Sequence, residues 1–243
     1  MKTPRLFTSA LMLGALLPIS VAASQSPTTI TIKVTNLTHG IHFTPLLVVA
    51  HDSATDLFDV GGISSDNLQA MAEGGSLDGL EVDMINAEAT YIANPATGLL
   101  APGQVVTTSL DPGGTDNEYL SIVAMMLPTN DGFIGLDSIA IPTEPGTYTF
   151  YLNAYDAGTE ANDELLNPGA GGAPGVAGIP GAPGGDAGTG GTGVAGADSH
   201  SMVHIHRGVL GDTDATGGNS DLDSRIHRWL NPVAKVQLTI TNP

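Results

Sequence analysis

Short runs of apolar and β-branched residues, separated by turn signals, constrain the fold of this chain more than any other feature. The first run, TTITIKVTN at Thr28–Asn36, alternates strictly and predicts a strand. The second, Thr44–His51, has a continuous apolar stretch and predicts a strand buried on both faces. Six further runs predict strands: Gln104–Leu110, Tyr119–Leu127, Phe133–Ile141, Gly146–Ala154, Met202–Val209 and Val233–Thr241. Repeated short strands with turns between them indicate an all-β fold, an antiparallel β-sandwich.

Two segments depart from the strand pattern. Asp66–Glu73 reads DNLQAMAE and predicts a short helix, whereas Leu80–Ile92 is compatible with either helix or strand. The 32 Gly and 16 Pro residues favour turns and loops over long helices. Helices are therefore expected to be a minor part of the fold.

The N-terminus has the organisation of a secretory signal peptide. Two basic residues precede a short apolar stretch, and the small residues Ala22 and Ala23 follow it at a suitable cleavage position. A membrane anchor is the less favoured alternative, because the stretch falls short of the ~20 residues that a span requires. We assign residues 1–23 to a signal peptide and 24–243 to one sandwich domain, secreted or periplasmic after cleavage.

The charge balance argues against several classes of partner. The chain holds 25 acidic and 7 basic residues, a formal net charge of −18. Loss of Lys2 and Arg5 with the signal peptide leaves 5 basic residues and a net charge of −20. Nucleic-acid binding needs Lys and Arg to replace phosphate counterions, and an anionic membrane surface attracts the same residues, so neither partner is expected. The absence of cysteine removes disulfides, thiol nucleophiles and Cys-ligated metals.

A glycine-rich segment interrupts the strand pattern at about residues 167–199. Between Gly169 and Gly196, 13 of 28 residues are glycine, and many recur at every third position. One interpretation is a collagen-like triple helix, which three chains would have to form together. We favour the other interpretation, a flexible loop insertion, because the run is short and its register breaks at Ala187.

Acidic residues concentrate near the ends of predicted strands. The stretch PTNDGF places Asp131 in the turn between two predicted strands, and AYDAGTEANDE begins at the end of a third. The second stretch carries five carboxylate or amide side chains: Asp156, Glu160, Asn162, Asp163 and Glu164. Calcium takes about six to eight oxygen ligands from such side chains, backbone carbonyls and water. The spacing does not match an EF-hand, and a solvated turn of an acidic protein is the alternative interpretation.

Histidines form a second group of candidate ligands. His204 and His206 are two residues apart on a predicted strand, so their rings point to one face, and His227 follows in a similar context. Such a set binds zinc, copper or iron in many proteins. The alternative is surface or hydrogen-bonded histidines, and His51 is a weaker candidate.

Three stretches resemble the spondin domain, the N-terminal module of F-spondin and mindin that also occurs in bacteria as a secreted protein. They are SIVAMMLPTNDGF at Ser121–Phe133, IGLDS at Ile134–Ser138 and YDAGTE at Tyr155–Glu160. The likeness covers roughly Thr28–Glu164. It implies a C2-like antiparallel β-sandwich that binds calcium through the acid of a P-x-x-D loop and two acids of a D-A-G-T-[DE] motif.

Carried over by position, the calcium ligands implied by the resemblance are Asp131, Asp156 and Glu160. The animal pattern has an aromatic residue where Gly132 follows the loop acid, and an Asp where this chain has Glu160. The resemblance implies a secreted module for adhesion or extracellular interaction, with a structural calcium ion and no catalytic residue. Its partner would be an extracellular protein or a glycan. The alternative function is a secreted metalloenzyme with a transition metal at His204, His206 and His227.

Overall fold

The computed structural model describes residues 29–112, 116–194 and 200–241, so the predicted signal peptide lies outside the described residues. Ten strands and two helices make up the regular structure there. In chain order they are β1 (Ile30–Asn36), β2 (His42–Phe43), β3 (Leu47–His51), α1 (Asp66–Gly74), α2 (Asp78–Asn86), β4 (Thr90–Ala93), β5 (Val105–Leu110), β6 (Tyr119–Leu127), β7 (Gly132–Ala140), β8 (Gly146–Asp156), β9 (His204–Ile205) and β10 (Ala234–Ile240).

The all-β prediction is confirmed. Each predicted strand has a counterpart, and the predicted short helix corresponds to α1. The ambiguous segment Leu80–Ile92 resolves into most of α2 followed by the start of β4. The predicted strand Met202–Val209 is much shorter, because only His204–Ile205 pair with β8.

The strands pair antiparallel in the order β4-β3-β6-β7-β8-β10-β1-β5, with β2 on β6 and β9 on β8. The end strands β4 and β5 approach each other, so the sheet is nearly closed into a barrel. The result is a sandwich-like antiparallel fold with few helices.

The central strands β3 and β6 are buried on both faces, as their continuous apolar sequences predicted. On one face, Val48 and Ile122 belong to a core shared with β1 and β10. On the other face, Val49 and Val123 pack with Met71 of α1 in a second core. The helices therefore cover the face of β3 and β6 that does not pack against β1 and β10.

The described part of the glycine-rich segment is a folded series of turns. Gly169, Gly172 and Gly175 have φ of 86°, 85° and 78°, which collagen strands with φ near about −75° do not adopt. Carboxylates hold its backbone: Gly175 N donates to Glu73 at 2.7 Å. These contacts agree with a loop insertion and disagree with a triple helix.

Asn36, buried at the end of β1, joins three segments and provides a test of this fold. Its Nδ2 donates to the carbonyls of Ile41 at 2.8 Å and Leu100 at 3.0 Å. We expect Asn36→Ala to lower the free energy of unfolding in urea by about 1–3 kcal/mol, because two buried hydrogen bonds are lost. The same substitution at exposed Asn86 should change it by less than about 0.5 kcal/mol. Equal effects at the two positions would contradict this role.

Candidate metal centre

The register between β7 and β8 brings the two predicted acidic loops together. Gly132, the first residue of β7, pairs with Asp156, the last residue of β8. Asp131 directly precedes Gly132, and its carbonyl accepts the N–H of Ala157 at 3.2 Å. Both loops therefore lie side by side at one end of the sheet.

The Asp131 side chain is fully buried and organises the neighbouring loop. Its Oδ2 accepts the backbone N–H of Thr159 at 2.8 Å and that of Glu160 at 3.1 Å. Its other oxygen, Oδ1, is buried and has no hydrogen-bond partner among the described residues. One carboxylate oxygen thus fixes the DAGTE turn while the other is left for a ligand.

Asp156 is also buried, and both of its oxygens accept hydrogen bonds. Oδ1 accepts the N–H of Gly158 at 2.9 Å, and Oδ2 accepts Nδ2 of Asn162 at 2.6 Å. His204 Nε2 lies 3.7 Å from Oδ2. Because each carboxylate oxygen has two lone pairs, these contacts leave Asp156 able to accept further bonds.

Glu160 links the acidic loop to the glycine-rich segment. Its Oε1 accepts the N–H of Gly178 at 2.7 Å. Its Oε2 is buried and, like Asp131 Oδ1, has no hydrogen-bond partner within the described part of the chain. Two buried carboxylate oxygens without partners therefore occur in this pair of loops, one on Asp131 and one on Glu160.

The electrostatics of this region disfavour ionised carboxylates. Burial raises the pKa of Asp131 to about 7, and the Asp156 carboxylate adds to the shift. Burial also raises the pKa of Glu160 to about 7, with further contributions from Glu73 and Asp131. Among the described residues no Lys or Arg forms an ion pair with these acids. A cation bound here would relieve this repulsion.

Two other acids of the predicted stretch accept hydrogen bonds from neighbouring loops. Asp163 Oδ1 accepts Nδ2 of Asn130 at 3.0 Å. Glu164 accepts the N–H of Leu210 at 2.6 Å and that of Gly211 at 2.8 Å. Asp163 and Glu164 therefore stabilise neighbouring loops through hydrogen bonds. The sequence spacing did not distinguish these two acids from Asp156 and Glu160.

Sequence analysis missed Glu73, a buried acid of α1. Glu73 accepts Nε2 of Gln69 at 2.8 Å and the N–H of Gly175 at 2.7 Å. Its charge is one of the causes that raise the pKa of Glu160. The only signal in the sequence is its position beside Met71 on a short helix, which does not indicate burial by itself.

Gly132 stands where the animal spondin pattern has an aromatic residue, and the structure leaves little space for a side chain at this position. A Cβ at this position would lie 2.7 Å from Thr129 Oγ1 and 3.0 Å from His206 Cδ2. Thr129 Oγ1 also accepts the Gly132 N–H at 3.0 Å, which closes the loop tightly around Asp131. A larger residue at 132 would have to displace this loop or His206.

The predicted histidine ligands lie in different hydrogen-bond environments. His204 is half-exposed, and its Nδ1 donates to the carbonyl of Met202 at 2.9 Å. His206 is buried 5.0 Å from the Trp229 ring, and its Nδ1 accepts the Gly208 N–H at 3.0 Å. The weaker candidate His51 is buried with both ring nitrogens hydrogen-bonded.

His227 resembles His206 in its bonding. Its Nδ1 accepts the Asp223 N–H at 3.0 Å, and burial lowers its pKa. An imidazole whose Nδ1 accepts a bond carries its proton on Nε2 when it is neutral, so Nε2 has no lone pair for a metal. The bonding of His206 and His227 therefore disfavours metal ligation through Nε2.

Within residues 29–112, 116–194 and 200–241, no group of three or more His, Asp or Glu side chains is preassembled as a metal ligand set. Asp131, Asp156 and Glu160 adjoin one another along the loops, and ion binding would have to draw their oxygens closer. Neither helix in these ranges has the length and hydropathy of a membrane span.

Comparison with known proteins identifies the family. The family model described as Spondin_N matches residues 30–174, more than half of the chain. The match includes β1 to β8, both helices and all three acids of the candidate site. No curated protein matches the chain significantly. On the evidence of the family match, the chain belongs to the spondin N-terminal domain family.

Proposed function

We propose that this protein is a secreted calcium-binding module for adhesion or cell-surface interaction, in which the ion has a structural role. The observation that carries the proposal is the pair of buried, unpartnered oxygens, Asp131 Oδ1 and Glu160 Oε2. A buried carboxylate oxygen without a hydrogen-bond partner is costly, and a hard cation is the ligand that such oxygens suit. Membership of the spondin family supports the extracellular and adhesive part of the proposal.

The ligand set would combine side chains from two loops. Asp131 from the loop before β7 and Glu160 from the loop after β8 offer their unpartnered oxygens, and Asp156 offers its remaining lone pairs. Backbone carbonyls and water would supply the other oxygens that calcium requires. An ion shared by two loops stabilises their mutual position, and this arrangement supports a structural role and a non-enzymatic module.

The transition-metal alternative has less support. His206 and His227 both accept a backbone N–H at Nδ1, which keeps the proton of the neutral ring on Nε2. Of the three predicted histidine ligands, only His204 has a ring nitrogen within 4 Å of a carboxylate oxygen in the described residues, with Nε2 3.7 Å from Asp156 Oδ2. The calcium proposal is therefore favoured over the secreted metalloenzyme.

Asp131→Asn should remove the calcium response while retaining the fold. The amide oxygen can replace Oδ2 as acceptor for the Thr159 and Glu160 N–H groups, while the amide nitrogen replaces the unpartnered Oδ1. At about 1 mM calcium and a Kd of about 0.1 mM, the wild-type protein should gain about 1.4 kcal/mol. That gain corresponds to roughly 3–5 °C in Tm, measured by calorimetry with calcium and with EDTA.

Asp116→Asn is the matched control, because it removes the same charge from an exposed side chain outside both loops. It should keep the wild-type calcium response. If Asp131→Asn responds to calcium as strongly as Asp116→Asn does, the ion binds elsewhere and the proposed site is wrong.

The raised pKa values predict how stability depends on pH. In the folded state the pKa of Asp131 and that of Glu160 are about 7, above their ordinary values of 3.8 and 4.5. Between about pH 4 and 7 the folded state therefore holds more protons than the unfolded state, and its free energy of unfolding falls as pH rises. Urea unfolding in EDTA should show this fall, and Asp131→Asn should make it shallower.

The increase in the free energy of unfolding that calcium causes should grow as pH rises through 7, because the ionised carboxylates bind the ion. A calcium-dependent increase that becomes smaller over this range would contradict the site.

Metal analysis separates the calcium proposal from its alternative. Protein purified without a histidine tag and equilibrated with calcium should contain about one calcium per chain and no stoichiometric zinc, copper or iron. His204→Asn should leave this content unchanged, because its ring is not a calcium ligand. A stoichiometric transition metal that His204→Asn removes would favour the metalloenzyme.

A further inference from the structure

The outward face of β8, β10, β1 and β5 presents an unusual set of side chains. Alternate residues on each strand point away from the core, and the strand register arranges twelve of them in three rows. The rows are Thr147, Thr239, Thr31 and Ser109; Thr149, Gln237, Lys33 and Thr107; and Tyr151, Lys235, Thr35 and Val105. We call these twelve residues the threonine face. Each is exposed or half-exposed in the structure.

The threonine face differs in charge from the rest of the molecule. It contains no Asp or Glu, although the chain has 25 acidic residues. It does contain Lys33 and Lys235, two of the five basic residues that follow the predicted signal peptide. Lys33 faces Gln237 across β1 and β10, so Lys235 is its diagonal neighbour at about 7–8 Å. The twelve residues of the face therefore carry two positive charges and no negative charge, on a strongly acidic protein.

Apart from the exposed Val105, the remaining side chains of the threonine face are hydrogen-bonding groups. Six are threonines and one is a serine, and their hydroxyls both donate and accept. Thr147 Oγ1 and Thr239 Oγ1 lie 3.3 Å apart on adjacent strands, within hydrogen-bonding distance of each other. Tyr151 is 61% exposed and stands opposite Lys235 in the register, giving an aromatic surface beside a cation.

We propose that the threonine face binds an anionic polysaccharide. The two ammonium groups would contact sulfate or carboxylate groups of the polymer, the threonine hydroxyls would bond its sugar hydroxyls, and Tyr151 would pack against a sugar ring. The inference names a partner for the adhesion module proposed above and rests on that proposal. It uses none of the calcium-site residues.

The composition of the face distinguishes this partner from two others. Asp and Glu accept bonds from sugar hydroxyls and would suit a neutral glycan, but on this face they would repel an anion, and they are absent. Protein interfaces draw most of their binding energy from aromatic and Arg anchors, with Thr and Ser under-represented among these residues. Six threonines and one exposed aromatic ring therefore fit a sugar polymer better than a second protein.

Affinity electrophoresis tests the proposal with two polymers of the same backbone. The native protein is run in calcium buffer through gels containing dextran sulfate or uncharged dextran. We expect dextran sulfate to retard the wild-type protein and dextran to leave it unretarded. The Lys33→Gln/Lys235→Gln double variant should lose at least tenfold in affinity, and added salt should weaken the wild-type interaction.

The matched control is Arg207→Gln/Arg228→Gln, which removes two exposed positive charges outside the face. It should bind dextran sulfate within twofold of wild type. Equal losses in the two double variants, equal retardation by dextran, or no retardation at all would overturn the proposal. Sedimentation velocity that shows self-association lost only in the lysine variant, without polymer binding, would assign the face to a second copy and also overturn it.

The calcium shift in Tm, measured on the lysine variant, separates the two proposals. It should equal that of wild type, because Lys33 and Lys235 lie on the sheet face and the calcium site lies in the loops. Loss of dextran sulfate binding with an unchanged calcium shift refutes only the polysaccharide inference. Absence of a calcium shift in wild type refutes the calcium-binding function, whatever the polymer result.

Discussion

Buried carboxylates that accept backbone N–H groups organise the loop half of this protein. Among the described residues, no Lys or Arg forms an ion pair with a buried acid. Asp131 instead accepts two N–H groups of the DAGTE turn, Glu164 accepts two from residues 210 and 211, and Asp221 accepts one from Gly191. A carboxylate accepts more strongly than a carbonyl, so each acid fixes a loop that has no strand pairing of its own.

The same bonding explains how a glycine-rich segment acquires a defined path. Glycine backbones expose their N–H groups and reach positive φ without strain, so they can turn those groups toward an acid. Glu73 and Glu160 bind the N–H groups of Gly175 and Gly178, respectively, which ties this segment to α1 and to the candidate metal centre. The acids and the glycines therefore stabilise one another.

Charge is distributed unequally over the two halves of the molecule. The loops carry many of the acids, including Asp131 and Glu160, whose pKa values are raised by burial. The outward face of β8, β10, β1 and β5 has no acid and carries Lys33 and Lys235. Distance and intervening solvent weaken the interaction between the two areas, so the acids of the loops do not cancel the charge of the two lysines.

The sequence alone determined the fold class, because alternation and apolar runs report which side of a strand is buried. It predicted β6 with the observed bounds, and the motifs around Asp131, Asp156 and Glu160 pointed to two loops. Local patterns could not indicate the short extent of β9, the split of Leu80–Ile92, or the burial of Glu73, since these depend on contacts distant in the chain. Only the tertiary structure decided which acidic loops lie side by side. The Gly132–Asp156 pairing places Asp131 beside the loop after β8. Glu164 instead accepts the backbone N–H groups of Leu210 and Gly211, which are distant in the chain.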